Sequence, residues 1–256
     1  MPAMSHSRYA IYLTPPIGSD LWAFGCAVIG RDASTGRDLE RFSPEAGFPQ
    51  SWRELTEEPR RYGFHATLIA PFRLRADLDF VDLLDRVAAF AYSMSPFEAG
   101  GLEVGRIAVA GRGAFVALRP AGPARELHAF ADEAVRKLGG LSAPLTQAER
   151  RRRESVRLTP LQRYYLDAWG YPYVLTEFRP HFTLTNVFPD ARPAEEALRA
   201  EFDRRVASKA LRVETLALFG ERESDGRFDI LREFPLGRRR RAERVATRVA
   251  AAAFID

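Results

Sequence analysis

Apolar and polar positions along the chain fall into a pattern that is written twice. Arg8 to Thr14 (RYAIYLT) is an apolar, β-favouring run stopped by Pro15 and Pro16, and Asp20 to Ile29 follows with helical character. In the second half Ala114 to Arg119 (AFVALR) is stopped by Pro120, and Ala124 to Leu138 follows with Leu127, Phe130, Ala131, Ala134 and Leu138 at helical spacing. Each half then passes through a polar stretch into a short predicted strand carrying a histidine. These strands are Tyr62 to Ala70 (YGFHATLIA) and Arg179 to Val187 (RPHFTLTNV), closed by Pro71 and Pro189. An amphipathic helix comes next, marked by Phe80, Leu83, Leu84, Val87 and Phe90 in one half and by Ala197, Leu198, Phe202 and Val206 in the other. Hairpins end both halves: Leu102 to Val109 against Phe115 to Arg119 across Gly111 and Gly113, and Leu211 to Phe219 against Phe228 to Phe234 across Asp225 and Gly226.

The repeated order β, α, β, α, β, β predicts an α+β protein of two pseudo-symmetric lobes, with two antiparallel sheets facing a central cleft and helices outside. Residues 1–236 make a single domain on this reading, and 237–256 (GRRRRAERVATRVAAAAFID) a basic C-terminal tail. Two segments depart from the repeat. Arg31 to Arg60 reads as a long loop with short helices, and Gly139 to Tyr171 opens on a helix carrying Arg150 to Arg153.

With 46% hydrophobic, 28% charged and 11% aromatic residues in 256, the chain is an ordinary globular one, which excludes disordered, collagenous and disulfide-rich classes. No apolar run reaches the roughly 20 residues of a membrane span, and the start, MPAMSHSRYAIYL, lacks signal-peptide features. A cytoplasmic location without a membrane partner is the expectation. Cys26 is the single cysteine, so there is no intrachain disulfide and no cysteine-based zinc site; it reads as a buried small apolar residue. The formal charge is +4, and Lys137 and Lys209 are the only lysines. The positive charge is therefore almost all guanidinium, whose fork matches phosphate oxygens in pairs.

Two of the four histidines occupy equivalent places in the two repeats, in Phe64-His65-Ala66-Thr67-Leu68 and Pro180-His181-Phe182-Thr183-Leu184. Residues i and i+2 of a strand share a face, so His65 projects with Thr67 and His181 with Thr183, while Phe64, Ala66, Leu68, Phe182 and Leu184 face the core. Polar side chains on one face of an otherwise apolar central strand are expected to line a wet cleft. Two imidazoles suit phosphoryl transfer without metal, one taking a proton from the attacking oxygen and the other giving one to the leaving oxygen. The two hydroxyls would hold the non-bridging phosphate oxygens between them. A metal site is the competing chemistry, but two histidines with no plainly placed third ligand make a poor one, and no metal or cofactor is expected. His6 is expected in a frayed terminus and His128 on a helix, neither with a chemical role.

At these motifs the sequence resembles the 2H phosphoesterase superfamily, named for two His-x-Thr/Ser signatures on a duplicated two-lobed fold. The wider segments RYAIYLTPPIGSDLWAFGCAVIGRD, RRYGFHATLIAPF and LQRYYLDAWGYPYVLTEFRPHFTLT resemble its phosphonate-metabolism branch, the DUF1045 family, over residues 8 to 236. The resemblance implies a cyclic phosphodiesterase-like hydrolase linked to alkylphosphonate breakdown, with His65 and His181 as the acid/base pair and Thr67 and Thr183 as the phosphate-holding hydroxyls. By position alone, Tyr12, Arg61, Tyr62, Tyr173 and Arg179 are candidates for binding a small phosphorylated substrate, the arginines offsetting charge and the tyrosines stacking on a base or sugar. Two alternatives stay open. One is processing of 2′,3′-cyclic phosphate ends on RNA, phosphodiesterase or ligase-like, with Arg150 to Arg153 and the tail on the backbone; the other is a non-catalytic RNA or nucleotide-binding module.

Overall fold

The computed structural model describes residues 6–40, 42 and 51–237. The basic tail beyond Gly237 lies outside the described residues. Among the described residues, ten strands and eight α-helices follow in order: β1 (His6–Leu13), α1 (Asp20–Ile29), β2 (Arg31–Asp32), β3 (Arg37–Asp38), α2 (Trp52–Leu55), α3 (Glu57–Tyr62), β4 (Ala66–Phe72), α4 (Phe80–Ser93) and β5 (Phe97–Val109). Then come β6 (Gly113–Pro120), α5 (Arg125–Leu138), α6 (Gln147–Glu154), α7 (Pro160–Trp169), β7 (Phe182–Thr183), α8 (Arg192–Arg205), β8 (Ala210–Val213), β9 (Thr215–Arg222) and β10 (Phe228–Pro235).

Local chemistry sets several of these limits. Ser19 caps α1 by accepting from the Trp22 amide, and Gly30 ends it in the left-handed region at φ 71°. Asp79 with Asp82, Thr146 with Glu149 and Thr159 with Gln162 form reciprocal caps that start α4, α6 and α7.

All strands but β2 and β3 join one antiparallel sheet in the order β10-β9-β1-β4-β7-β6-β5-β8. The expected two antiparallel sheets are its two four-stranded halves, joined edge to edge through the register pair Ala66↔Phe182 of β4 and β7. The lobes are not the two halves of the sequence. One takes β1 and β4 from the first repeat with β9 and β10 from the end of the chain; the other takes β6 and β7 with β5 and β8.

The face carrying Ile11, Leu13, Leu68, Val116, Leu118, Phe182, Leu216 and Leu218 is buried against apolar stripes of the helices. Those stripes include Leu83, Val87 and Phe90 of α4, Leu127, Phe130 and Ala134 of α5, and Leu198 and Phe202 of α8. On the opposite face a smaller cluster, Ala10, Tyr12, Ala217, Phe219 and Phe228 with Ala33, supports the cleft side of the first lobe. Cys26 is buried as expected.

Four expected boundaries are corrected. Tyr62 ends α3 and His65 stands just before β4, because Gly63 at φ 79° and ψ 172° turns the chain between them. Pro71 lies inside β4 rather than ending it, beyond the residue of β4 that pairs β7. The strand expected over Arg179 to Val187 shrinks to Phe182–Thr183. Leu211 to Val213 leaves the expected hairpin for the far edge of the sheet, where β8 pairs β5. His6 also differs from expectation, since it opens β1 rather than fraying.

Candidate active site

The two strands that join the lobes carry the two His-x-Thr motifs. Continuing the antiparallel Ala66↔Phe182 register by one residue each way sets His65 across from Thr183 and Thr67 across from His181. All four side chains then leave the sheet on the face opposite buried Ala66 and Phe182. The result is a rectangle with histidines on one diagonal and threonines on the other. Neighbouring pairs continue the row outward: Tyr12 beside Thr67, Ala217 beside Tyr12, and on the other side Ala117 beside Thr183 and Gly105 beside Ala117.

Both imidazoles are oriented by the same device. His65 Nδ1 lies 2.9 Å from the carbonyl of Gly63, and His181 Nδ1 lies 2.6 Å from the carbonyl of Arg179, each two residues upstream. A carbonyl can only accept, so Nδ1 carries the hydrogen in each ring and Nε2 is left for chemistry. His65 Nε2 meets the Thr67 hydroxyl at 3.2 Å. The Thr183 hydroxyl makes no hydrogen bond among the described residues, so it is free for a ligand.

Burial pushes the His65 imidazole down to about 4, against the Gly63 carbonyl, which favours its charged form, and with the charge of His181 adding to the fall. His181 is lowered too, by burial first, opposed by the Arg179 carbonyl and assisted by the Arg179 charge. A proton on His181 therefore disfavours one on His65.

The remaining candidates divide. Tyr12 is only 1% exposed, and its ring lies under His65, so it supports the imidazole from below. Burial holds its hydroxyl protonated, raising it well above the usual phenol range. Tyr62 packs on Phe228 at 5.2 Å and faces His65 at 6.5 Å. Arg61, though 45% exposed, is bound to the Gly226 carbonyl at 2.8 Å and to Glu221 at 3.0 Å. Tyr173 is 39% exposed with its ring edge-on to Tyr171 at 5.6 Å. Arg179 is exposed, and its contact with the site is its backbone carbonyl.

Sequence reasoning passed over Glu221, which gathers Ser7, Arg8 and Arg61 at the end of the first lobe. Burial alone would raise its carboxyl, but bonds from Arg8, Ser7 and Arg61 and the charge of Arg8 bring it to about 2. Its alternation with Phe219 and Ala217 along β9 was the available signal. Among the described residues no three His, Cys, Asp or Glu side chains converge as a metal site would require.

The family described as "Protein of unknown function (DUF1045)" matches residues 67–229. The chain belongs to the DUF1045 family. The matched span contains Thr67, His181 and Thr183, and His65 stands two residues before it. Two curated relatives are both named "Ribose 1,5-bisphosphate phosphokinase PhnN". The one from Janthinobacterium sp. (strain Marseille) is 31% identical over 85% of this chain and 48% of its own length. The one from Laribacter hongkongensis (strain HLHK9) is 34% identical over 88% of this chain and 51% of its own length. The chain thus spans about half the length of these relatives. Among solved structures, E. coli LigT complexed with 3′-AMP aligns over 91% of this chain and 100% of its own, at 16% identity and a TM-score of 0.45. No helix of the described residues is long and apolar enough to cross a membrane.

Proposed function

We propose that the chain is a metal-independent cyclic phosphodiesterase of the 2H type that opens a small ribose or nucleotide cyclic phosphate, in phosphonate metabolism. The observation that supports this reading is the β4–β7 junction, which sets two identically tethered imidazoles on one diagonal and two hydroxyls on the other. His65, the more strongly depressed ring, is neutral near pH 7, and its Nε2 takes a proton from water as the water oxygen bonds to phosphorus. The Thr67 and Thr183 hydroxyls donate to the non-bridging oxygens, where charge grows in the transition state. One ring P–O bond breaks as His181 gives its Nε2 proton to the departing sugar oxygen. The product is a phosphomonoester beside a free hydroxyl.

The kinase named in the relatives belongs to proteins twice as long. A glycine-rich phosphate loop of the GxxxxGK type needs a lysine directly after glycine, and here Lys137 follows Arg136 and Lys209 follows Ser208. An RNA-end reading would lean on Arg150 to Arg153. Arg150 is paired with Asp167 and Glu154, and Arg153 is turned into the fold, so Arg151 and Arg152 are what the run still offers to solvent.

Replacing His65 or His181 by alanine is expected to lower turnover of a 2′,3′-cyclic mononucleotide or a ribose 1,2-cyclic phosphate by about 100-fold or more, with smaller losses for Thr67→Val and Thr183→Val. Steady-state kinetics beside circular dichroism make the measurement. Near-normal rates in both folded histidine variants would sink the assignment.

A further inference from the structure

Arg31, the residue that opens β2, is the bulkiest fully buried side chain among the described residues. Its Nη1 donates to the carbonyl of Phe228 at 2.9 Å and to that of Arg60 at 3.2 Å, with the Arg61 carbonyl at 3.5 Å, while Nη2 meets Asp229. Its Nε has no hydrogen-bond partner. Apolar side chains of the same volume often stabilise a fold as well as a buried ion pair does, so what such a pair contributes is geometry.

The geometry in question is that of the end of α3. The last carbonyls of a helix have no intrahelical partner and carry the negative end of its dipole, so a guanidinium among them both satisfies and fixes them. Arg31 takes the carbonyls of Arg60 and Arg61, the two residues before Tyr62. From there the chain runs straight into the tether of the first motif: Tyr62 closes the helix, Gly63 turns the chain, and the Gly63 carbonyl accepts from His65 Nδ1. The segment that begins with Arg31 also abuts the turn itself, since a Cβ on Gly63 would stand 2.6 Å from the Ala33 side chain. That segment is in turn stitched to β10, through the Phe228 carbonyl, through Asp229, and through the Ile230 amide, which donates to the Ala33 carbonyl at 2.9 Å. His181 hangs from a different carbonyl, that of Arg179, and so serves as an internal control.

We infer that Arg31 is a positioning residue for His65: by holding the last carbonyls of α3 to β10 it fixes the turn at Gly63, and so keeps His65 Nδ1–H on the Gly63 carbonyl and Nε2 turned toward the His-x-Thr rectangle. Its effect on turnover rests on the phosphodiesterase reading above, whereas its effect on the ring does not. Displacing a general base by about 1 Å is enough to cost a large factor in rate, so a residue that touches no substrate can still govern the reaction.

The ring and the reaction are read separately in wild type, Arg31→Lys, Arg31→Met and Arg31→Met/Asp229→Asn, the last removing both charges so that neither is left buried alone. Nitrogen-15 NMR of the imidazoles at about pH 7.5, where burial keeps both rings neutral, reports which nitrogen carries the hydrogen. Wild type is expected to show Nδ1–H at both histidines. The two methionine variants should show mixed tautomers at His65 and the wild-type signal at His181, and Arg31→Lys, which keeps a cation but not the planar fork, should fall between. Turnover of ribose 1,2-cyclic phosphate by the methionine variants should drop about 10-fold in kcat with KM held within about threefold. An unchanged His65 signal in a folded methionine variant would overturn the inference, as would equal changes at both histidines, which mark a general loosening, or full kcat in an active enzyme whose His65 signal has moved. If neither methionine variant folds while Arg31→Lys folds with the wild-type His65 signal, Arg31 serves the fold alone and the inference is equally overturned. A His65 signal that moves as expected, in a protein whose wild type turns over no cyclic phosphate, would instead overturn the proposed reaction and leave the positioning role standing.

Discussion

The Tyr12 ring lies flat against the His65 imidazole, with centroids 3.6 Å apart and planes 15° apart. On the other motif, Phe115 meets His181 at 5.3 Å and 52°, a looser and tilted contact. Tyr12 is thus a positioning residue for one histidine only. Its hydroxyl is not needed for stacking, so Tyr12→Phe is expected to keep turnover within about threefold, whereas Tyr12→Leu, which fills space without a flat face, should lower kcat about 10-fold with KM little changed. Equal losses in both variants would show that the hydroxyl, rather than the ring, is what matters.

The depressed histidines make a pH prediction with a definite sign. On the proposed mechanism, kcat/KM requires His65 neutral as base and His181 protonated as acid, so the expected profile is a bell whose acid limb is set near 4 and whose maximum lies on the acid side of the ordinary histidine value of about 6.5. Stability moves the other way at low pH. The unfolded chain binds a proton at His65 near pH 6.5 that the folded chain refuses until about 4, so stability falls as pH drops through that window. Thermal melts of wild type and His65→Gln between pH 4 and 7 check this, and the variant should show the shallower slope. Parallel curves would remove His65 as a source of the effect.

Gly63 offers a test of how the imidazole is tethered. Its φ of 79° with ψ of 172° is a region used almost only by glycine, and a Cβ there would stand 2.6 Å from the Ala33 side chain. Gly63→Ala should destabilise the fold by about 1–3 kcal/mol and shift the carbonyl that holds His65 Nδ1. Denaturant melts and the pH profile together are the readout. A variant with unchanged stability and an unchanged acid limb would mean that the turn does not set the ring.

Beneath the four polar side chains, Phe64 and Phe182 meet at 5.2 Å and tie the two motifs together from the core side. Both are fully buried, and truncating either to alanine is expected to lower stability by about 3–5 kcal/mol. Chemical denaturation measures it. A loss under about 1 kcal/mol would indicate that the junction is held by the β4–β7 backbone alone.

How much of this was readable in the chain follows from the range of each signal. The alternation of Phe64, Ala66 and Leu68 with His65 and Thr67 is local, and it puts His65 and Thr67 on one face. The caps and proline stops are local too, and Asp20–Ile29 was located to the residue. Which strand becomes whose neighbour is not a local property. Leu211 to Val213 and Leu216 to Phe219 are equally β-favouring, so nothing nearby says that one group pairs β5 and the other β1. Arg31 was passed over for the same reason. Its partners, the Arg60 and Phe228 carbonyls and Asp229, come from distant parts of the chain.

The exchange of strands between the halves also fixes when the site can come into being. Ile11 pairs with Leu218, near opposite ends of the described chain, so the lobe that holds Tyr12 and His65 keeps an open edge until β9 has been synthesised. Closing so long a loop is entropically slow, and an unpaired apolar edge invites pairing with other chains in the meantime. A ribosome making this protein has released most of the polypeptide, including both histidines, before the shelf beneath the first of them is complete.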